Sequence, residues 1–249
     1  MSDLKWNTPS SPVEAPIENQ AHVWKFHFSQ NFEYIDVLEE LLSFDEKERA
    51  RNYIFLKDRN RFILSRGILR LFCGHFLSIK PSDIIFKYGN YGKPYLHSCH
   101  SSKLQFNLSH SNDILLVCFT YNLYIGIDVE KTRSISDWQN IANIVFSHRE
   151  KQVLDLLPEE QKTRAFFKTW TYKEAYIKAL GNGLSIPLNQ IEVSLEPNAR
   201  SSIIASNIYT EKKFSIQEFF CHPTYASAIA IEEGLSDILK FITSIDELL

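Results

Sequence analysis

The 249 residues carry 27 Lys and Arg against 30 Asp and Glu, a formal charge of −3, with 44% hydrophobic and 13% aromatic residues. That is the composition of a packed core, enough for one large domain or two small ones. It excludes a uniformly basic nucleic-acid binder, though not a local basic patch. Only 8 glycines argue against collagen-like or glycine-cradle designs, and the longest apolar run, 114–119, is far short of the roughly 18 residues of a membrane span.

Residues 1–20 hold Pro9, Pro12 and Pro16 among polar residues and lack the basic and apolar regions of a secretion signal. The expectation is a loose leading segment on a soluble, cytoplasmic protein. Cys73, Cys99, Cys118 and Cys221 form no C-x-x-C pair and are expected to be reduced and mostly buried. The segment around His97, Cys99 and His100 lacks a second ligand cluster and reads as a loop.

In chain order, alternation over 23–28 predicts a strand. Ser43 and Glu46 form a capping box that opens a helix reaching 50–55, and an apolar stripe from Phe62 to Phe72 predicts a long helix over 58–76. Residues 89–94 form a Gly-Asn turn. Residues 104–121 read as two strands interrupted by the polar stretch 109–113. The order then repeats: a strand over 125–130, a capping box at Ser147 and Glu150, a break at Pro158, and a long helix over 163–180 capped by Gly181. A Gly-Asn turn at 181–183 and strands near 191–195, 214–220 and 225–231 complete it. This points to two similar α+β halves, 1–121 and 122–249, with a ligand site in the cleft between them.

Four groups could carry chemistry. Asp128 and Glu130 lie two apart on a strand and so share a face. They are either a solvated edge or a site for Mg²⁺, which favours carboxylate oxygens. Glu174 and Lys178 share a helix face. They are a routine surface pair, or a third carboxylate and a cation on an otherwise apolar helix. Ser109 and His110 are a polar turn or phosphate donors. As strand neighbours they face opposite ways, and no G-x-S-x-G elbow is present, which disfavours a hydrolase. The stretch 47–70 holds eight cations, set against the four anions Asp45, Glu46, Glu48 and Asp58 in and just before it, and could be a solvated face or a phosphate grip. Walker, dinucleotide-binding, zincin and EF-hand motifs are all missing.

Gly92-Lys93-Pro94, the run 106–111 (FNLSHS), the run 126–130 (GIDVE) and the run 170–178 (WTYKEAYIK) followed by Gly181 occur in one order. Together they resemble the larger, surfactin-synthetase-activating (Sfp-like) type of phosphopantetheinyl transferase. The resemblance covers about 46–188. It implies a pseudo-twofold α+β monomer with coenzyme A and Mg²⁺ in the cleft, acting on apo acyl or peptidyl carrier proteins, with no nucleic acid or membrane partner. It further implies Asp128, Glu130 and Glu174 as metal ligands, and Lys178 and His110 at the phosphates. Lys93 and Ser109 would lie on the coenzyme, and Arg49 and Arg61 near its 3′-phosphate. Glu174, Lys178 and His110 would be the catalytic groups, with Glu174 a ligand, a base or both. Glu150 matches a recurrent family acid but already has a capping role. Two rival classes remain open: another Mg²⁺-dependent phosphotransferase or nuclease using the same acids, and a nucleic-acid-binding module using 47–70.

Overall fold

In the computed structural model, residues 6–9, 13–134, 138–181, 187–194, 201–206, 210, 212–235 and 237–249 are described. Eleven strands are found there: β1 Gln20–His27, β2 Phe86–Tyr88, β3 Pro94–Leu96, β4 Leu104–Ser111, β5 Ile114–Tyr121, β6 Ile125–Lys131, β7 Ile191–Val193, β8 Ser201–Ser206, β9 Phe214–Glu218, β10 Tyr225–Glu232 and β11 Asp237–Ile242. The α-helices are α1 Ile35–Leu41, α2 Phe44–Arg51, α3 Leu56–Leu77, α4 Trp138–Val145, α5 His148–Leu156 and α6 Glu159–Leu180.

The strands form a four-stranded sheet in the order β11-β1-β5-β4, a five-stranded sheet in the order β6-β10-β9-β8-β7, and the hairpin β2-β3. Strand alternation sorts the residues into separate cores. On β1, Trp24 and Phe26 meet Phe72 and other α3 residues, whereas Ala21 and Val23 face the other way. There they meet Ile125, Ile127 and Val129 of β6 and Ile229 and Ile231 of β10, so the two sheets face each other. Helix α6 covers the opposite face of the second sheet, where Tyr176 and Ile177 pack with Ala228 and Ala230. The result is a mixed α+β molecule with long helices on its outer faces and two sheets between them.

Both capping boxes form, at Ser43–Glu46 and Ser147–Glu150, and Gly181 caps α6 at φ 75°. The long helices begin earlier than the apolar stripes suggest, at Leu56 and Glu159. The Gly-Asn turn expected at 181–183 lies, beyond Gly181, outside the described residues. Three departures bear on function. Strand β4 runs through Ser111, so the turn is only Asn112-Asp113 and Ser109, His110 and Ser111 are strand residues. Strand β11 returns to the first sheet, parallel to β1. The described parts of 1–20 are tied down: Asn7 bridges to Phe241 and Val13 is in the first core. Cys73, Cys118 and Cys221 are buried free thiols and Cys99 is exposed.

Candidate active site at the seam between the two sheets

Gly126 brings the acids and the helix together. A Cβ there would overlap the Ala175 carbonyl and the Ala179 backbone, so only glycine lets α6 lie directly on β6. Residues of even number on β6 then face α6, which presents Glu174 and Lys178 one turn apart.

Lys178 Nζ donates to Asp128 Oδ1 at 2.6 Å and to Ser109 Oγ at 2.8 Å. Ser109 Oγ donates in turn to Asp128 Oδ1 at 2.9 Å. Ser111 Oγ donates to Glu130 Oε2 at 2.8 Å. Asp128 is 3% exposed, and Glu130 and Glu174 are half-buried. Burial pushes the Glu174 carboxyl up to about 7, with the Asp128 charge adding to it and Lys178 opposing. Burial also raises Glu130, an effect the Ser111 hydrogen bond reduces. Asp128 Oδ2 and Glu174 Oε1 are buried without a hydrogen-bond partner. Among the described residues no three ligating groups stand in a closed metal cluster. Lys178 is instead the cation drawn onto Asp128. Buried carboxylate oxygens left without donors carry a desolvation cost that a hard cation relieves, so this oxygen-only donor set fits Mg²⁺.

The cations fall into separate groups. His110 packs edge-on against Phe28, and the Arg61 guanidinium lies 5.6 Å from the same ring. Desolvation on its packed side, then Arg61 and Lys178, hold His110 below the ordinary imidazole range. Arg61 also donates to the Asn112 carbonyl. Arg49 sits over the Phe62 ring that Arg66 also contacts. Lys93 does something not anticipated. Its Nζ donates to the carbonyls of Ile125, Lys178 and Ala179 at 3.2, 2.6 and 3.0 Å. All three N–H donors of the ammonium are thereby engaged, capping the C-terminal end of α6 rather than facing a ligand.

The basic stretch 47–70 does not form one face. Arg70 is buried against Glu46 at 2.6 Å, Arg66 is 6% exposed, and Arg51 and Arg59 pair with Glu48 and Glu39. Glu150 makes a buried ion pair with Lys173 at 2.5 Å and accepts from Val193 N, a structural role. Asn107 and Ser111 lie in the run 106–111 but have no role of their own in the sequence reading. Their signal is the alternation over 104–109, in which Gln105, Asn107 and Ser109 share one face with Ser111, against Leu104, Phe106 and Leu108 on the other. A cavity of about 370 Å³ among Thr8, Tyr34, Thr243 and Glu247 contains none of these groups.

Residues 124–230 match the family model described as the 4'-phosphopantetheinyl transferase superfamily, and residues 24–120 match the model of a 4'-phosphopantetheinyl transferase N-terminal region. The 4'-phosphopantetheinyl transferase HetI of Nostoc sp. is 36% identical over 90% of this chain and 92% of its own. The 4'-phosphopantetheinyl transferase Sfp of Bacillus subtilis is 33% identical over 65% of this chain and 70% of its own. A solved holo-(acyl-carrier-protein) synthase of Bacillus anthracis is 23% identical, with a TM-score of 0.38 over 43% of this chain and 93% of its own.

Proposed function

Because the chain belongs to the 4'-phosphopantetheinyl transferase superfamily and is a 4'-phosphopantetheinyl transferase, we propose that the transfer takes place at the seam of β4, β6 and α6. In this reading the donor is coenzyme A, and the acceptor is a serine hydroxyl of an apo acyl or peptidyl carrier protein. Adenosine 3',5'-bisphosphate is released. The protein acts as a monomer in the cytoplasm, a reducing compartment that suits its free thiols. The observation that carries the reading is the pair of buried, unpartnered oxygens, Asp128 Oδ2 and Glu174 Oε1, beside Lys178.

Asp128, Glu130 and Glu174 would hold Mg²⁺. The bound ion supplies Lewis-acid neutralisation of the pyrophosphate. Lys178, already at the seam, adds a fixed cation where charge develops on the leaving phosphate. His110 and Arg61 share the Phe28 ring; in this reading His110 contacts the phosphates, and Arg61 and Arg49 contact the 3'-phosphate. In this reading Glu174 also takes the proton of the attacking serine, directly or through water. The carrier supplies the nucleophile, so this chain needs no serine elbow. Ser109 acts through Asp128, since its hydroxyl is already bonded to Asp128 and Lys178.

Incubation with coenzyme A, Mg²⁺ and an apo carrier domain should add the mass of one phosphopantetheine arm to the carrier. Asp128→Ala should reduce that labelling to background while the thermal midpoint stays within a few degrees. Near-normal labelling by the variant would remove the metal assignment.

A further inference from the structure

We infer that Ser111 is a positioning residue for Glu130, the outermost rung of a side-chain ladder that joins the two sheets. The inference rests on the reading of Glu130 as a metal ligand. Strand β6 is an edge of its sheet, with β10 on one side only, and β4 is likewise an edge, with β5 on one side. An unpaired edge leaves a row of backbone N–H groups that need acceptors. Here side chains of β4 supply them. Asn107 Oδ1 accepts from Ile127 N at 2.9 Å, Ser109 Oγ from Val129 N at 3.4 Å, and Ser111 Oγ from Lys131 N at 3.1 Å.

The chemistry of each rung matches what precedes the N–H it serves. Before Val129 and Lys131 stand the acids Asp128 and Glu130, and both rungs are serines. A hydroxyl that accepts from the main chain still has its own proton to give. Ser109 gives it to Asp128 at 2.9 Å and Ser111 to Glu130 at 2.8 Å. Before Ile127 stands Gly126, which has no acid to orient, and that rung is the asparagine. Ser111 therefore fixes Glu130 Oε2 against a point held by main chain, leaving the other carboxylate oxygen for a cation. Ser109 is shared with Lys178, whereas among the described residues the Ser111 hydroxyl bonds only Glu130 and the Lys131 N–H, which makes it the clean test.

Groups that orient a metal's carboxylates typically change metal affinity by about 10–100-fold when removed. Mn²⁺ binding to the full chain saturated with coenzyme A, followed by the electron paramagnetic resonance of free Mn²⁺, reads the effect without turnover. Ser111→Ala should raise the Mn²⁺ dissociation constant about tenfold or more. Ser111→Thr, which keeps the hydroxyl, should stay within about threefold of wild type by the same reasoning. Ser111→Cys, close in size and a weak donor, should lose affinity like Ser111→Ala even if the alanine variant folds poorly. Wild-type affinity in Ser111→Ala or Ser111→Cys overturns the inference. If wild type and Glu130→Gln bind Mn²⁺ alike, the assignment of Glu130 as a ligand fails, and the inference with it.

Discussion

Lys93 and His22 show how little a residue's type says about its task until its surroundings are known. A lysine in a Gly-Lys-Pro turn suggests a cation held out to a phosphate, yet three carbonyls take all its donors. No local pattern signals those carbonyls, because they come from the start of β6 and the end of α6. His22 is 5% exposed, and burial holds its ring at a pKa of about 4 against the usual 6.5. The fold favours the neutral ring, so between those pH values the unfolded chain binds the extra proton. The stability is in full above pH 6.5 and is lost as the pH falls toward 4, on the order of 3 kcal/mol. His22→Leu is expected to flatten urea-unfolding midpoints between those limits. A slope equal to that of wild type would count against this account. Asp128, Glu130, Glu174 and Lys178 were more legible, because spacing along a strand and along a helix places each pair on one face without long-range knowledge.

At the scale of elements, the two halves use one device twice. The capping-box acid Glu46 meets Arg70 of α3, and the capping-box acid Glu150 meets Lys173 of α6. Each cation also bonds carbonyls of the chain that follows its helix, Pro81 and Ile84 for Arg70 and Leu188 for Lys173. The capping boxes were legible as S-x-x-E, but the buried cations sit 24 and 23 residues away and carry no local signature. The repetition supports two halves of similar build. Lys173→Met should cost about 3 kcal/mol or more, because it strands the Glu150 carboxylate in the interior. Adding Glu150→Gln should recover part of that loss in urea melts. Simple additivity would show that the two do not act as a pair. The end of strand β4 departs from its composition for a related reason. Ser-His-Ser-Asn-Asp has the composition of a turn, but on β4 the polarity serves the edge of β6.

For the molecule as a whole, α+β class and two halves followed from the repeated order of elements, while the route of the last strand did not. Nothing near Asp237–Ile242 indicates that it pairs in parallel with Gln20–His27. Pairing between strands so far apart leaves no periodicity to read. The consequence reaches the core: Ile245 is fully buried and Leu248 is 6% exposed, and both pack with Trp24, Phe26 and the α3 residues. Ile245→Ala should lower stability by about 2–5 kcal/mol. A loss under about 1 kcal/mol would mean that the terminal turn is peripheral.

That closure also has a meaning in time. A ribosome delivers the chain from its first residue onward, and domains that rest on their own segments can fold as they emerge. The first sheet lacks its outer strand, and the first core lacks Ile245 and Leu248, until residues 237–248 have been made, after the whole of the second sheet. The earlier half is thus the later to finish, and it must wait, partly uncovered, through the synthesis of the half that brings the acids.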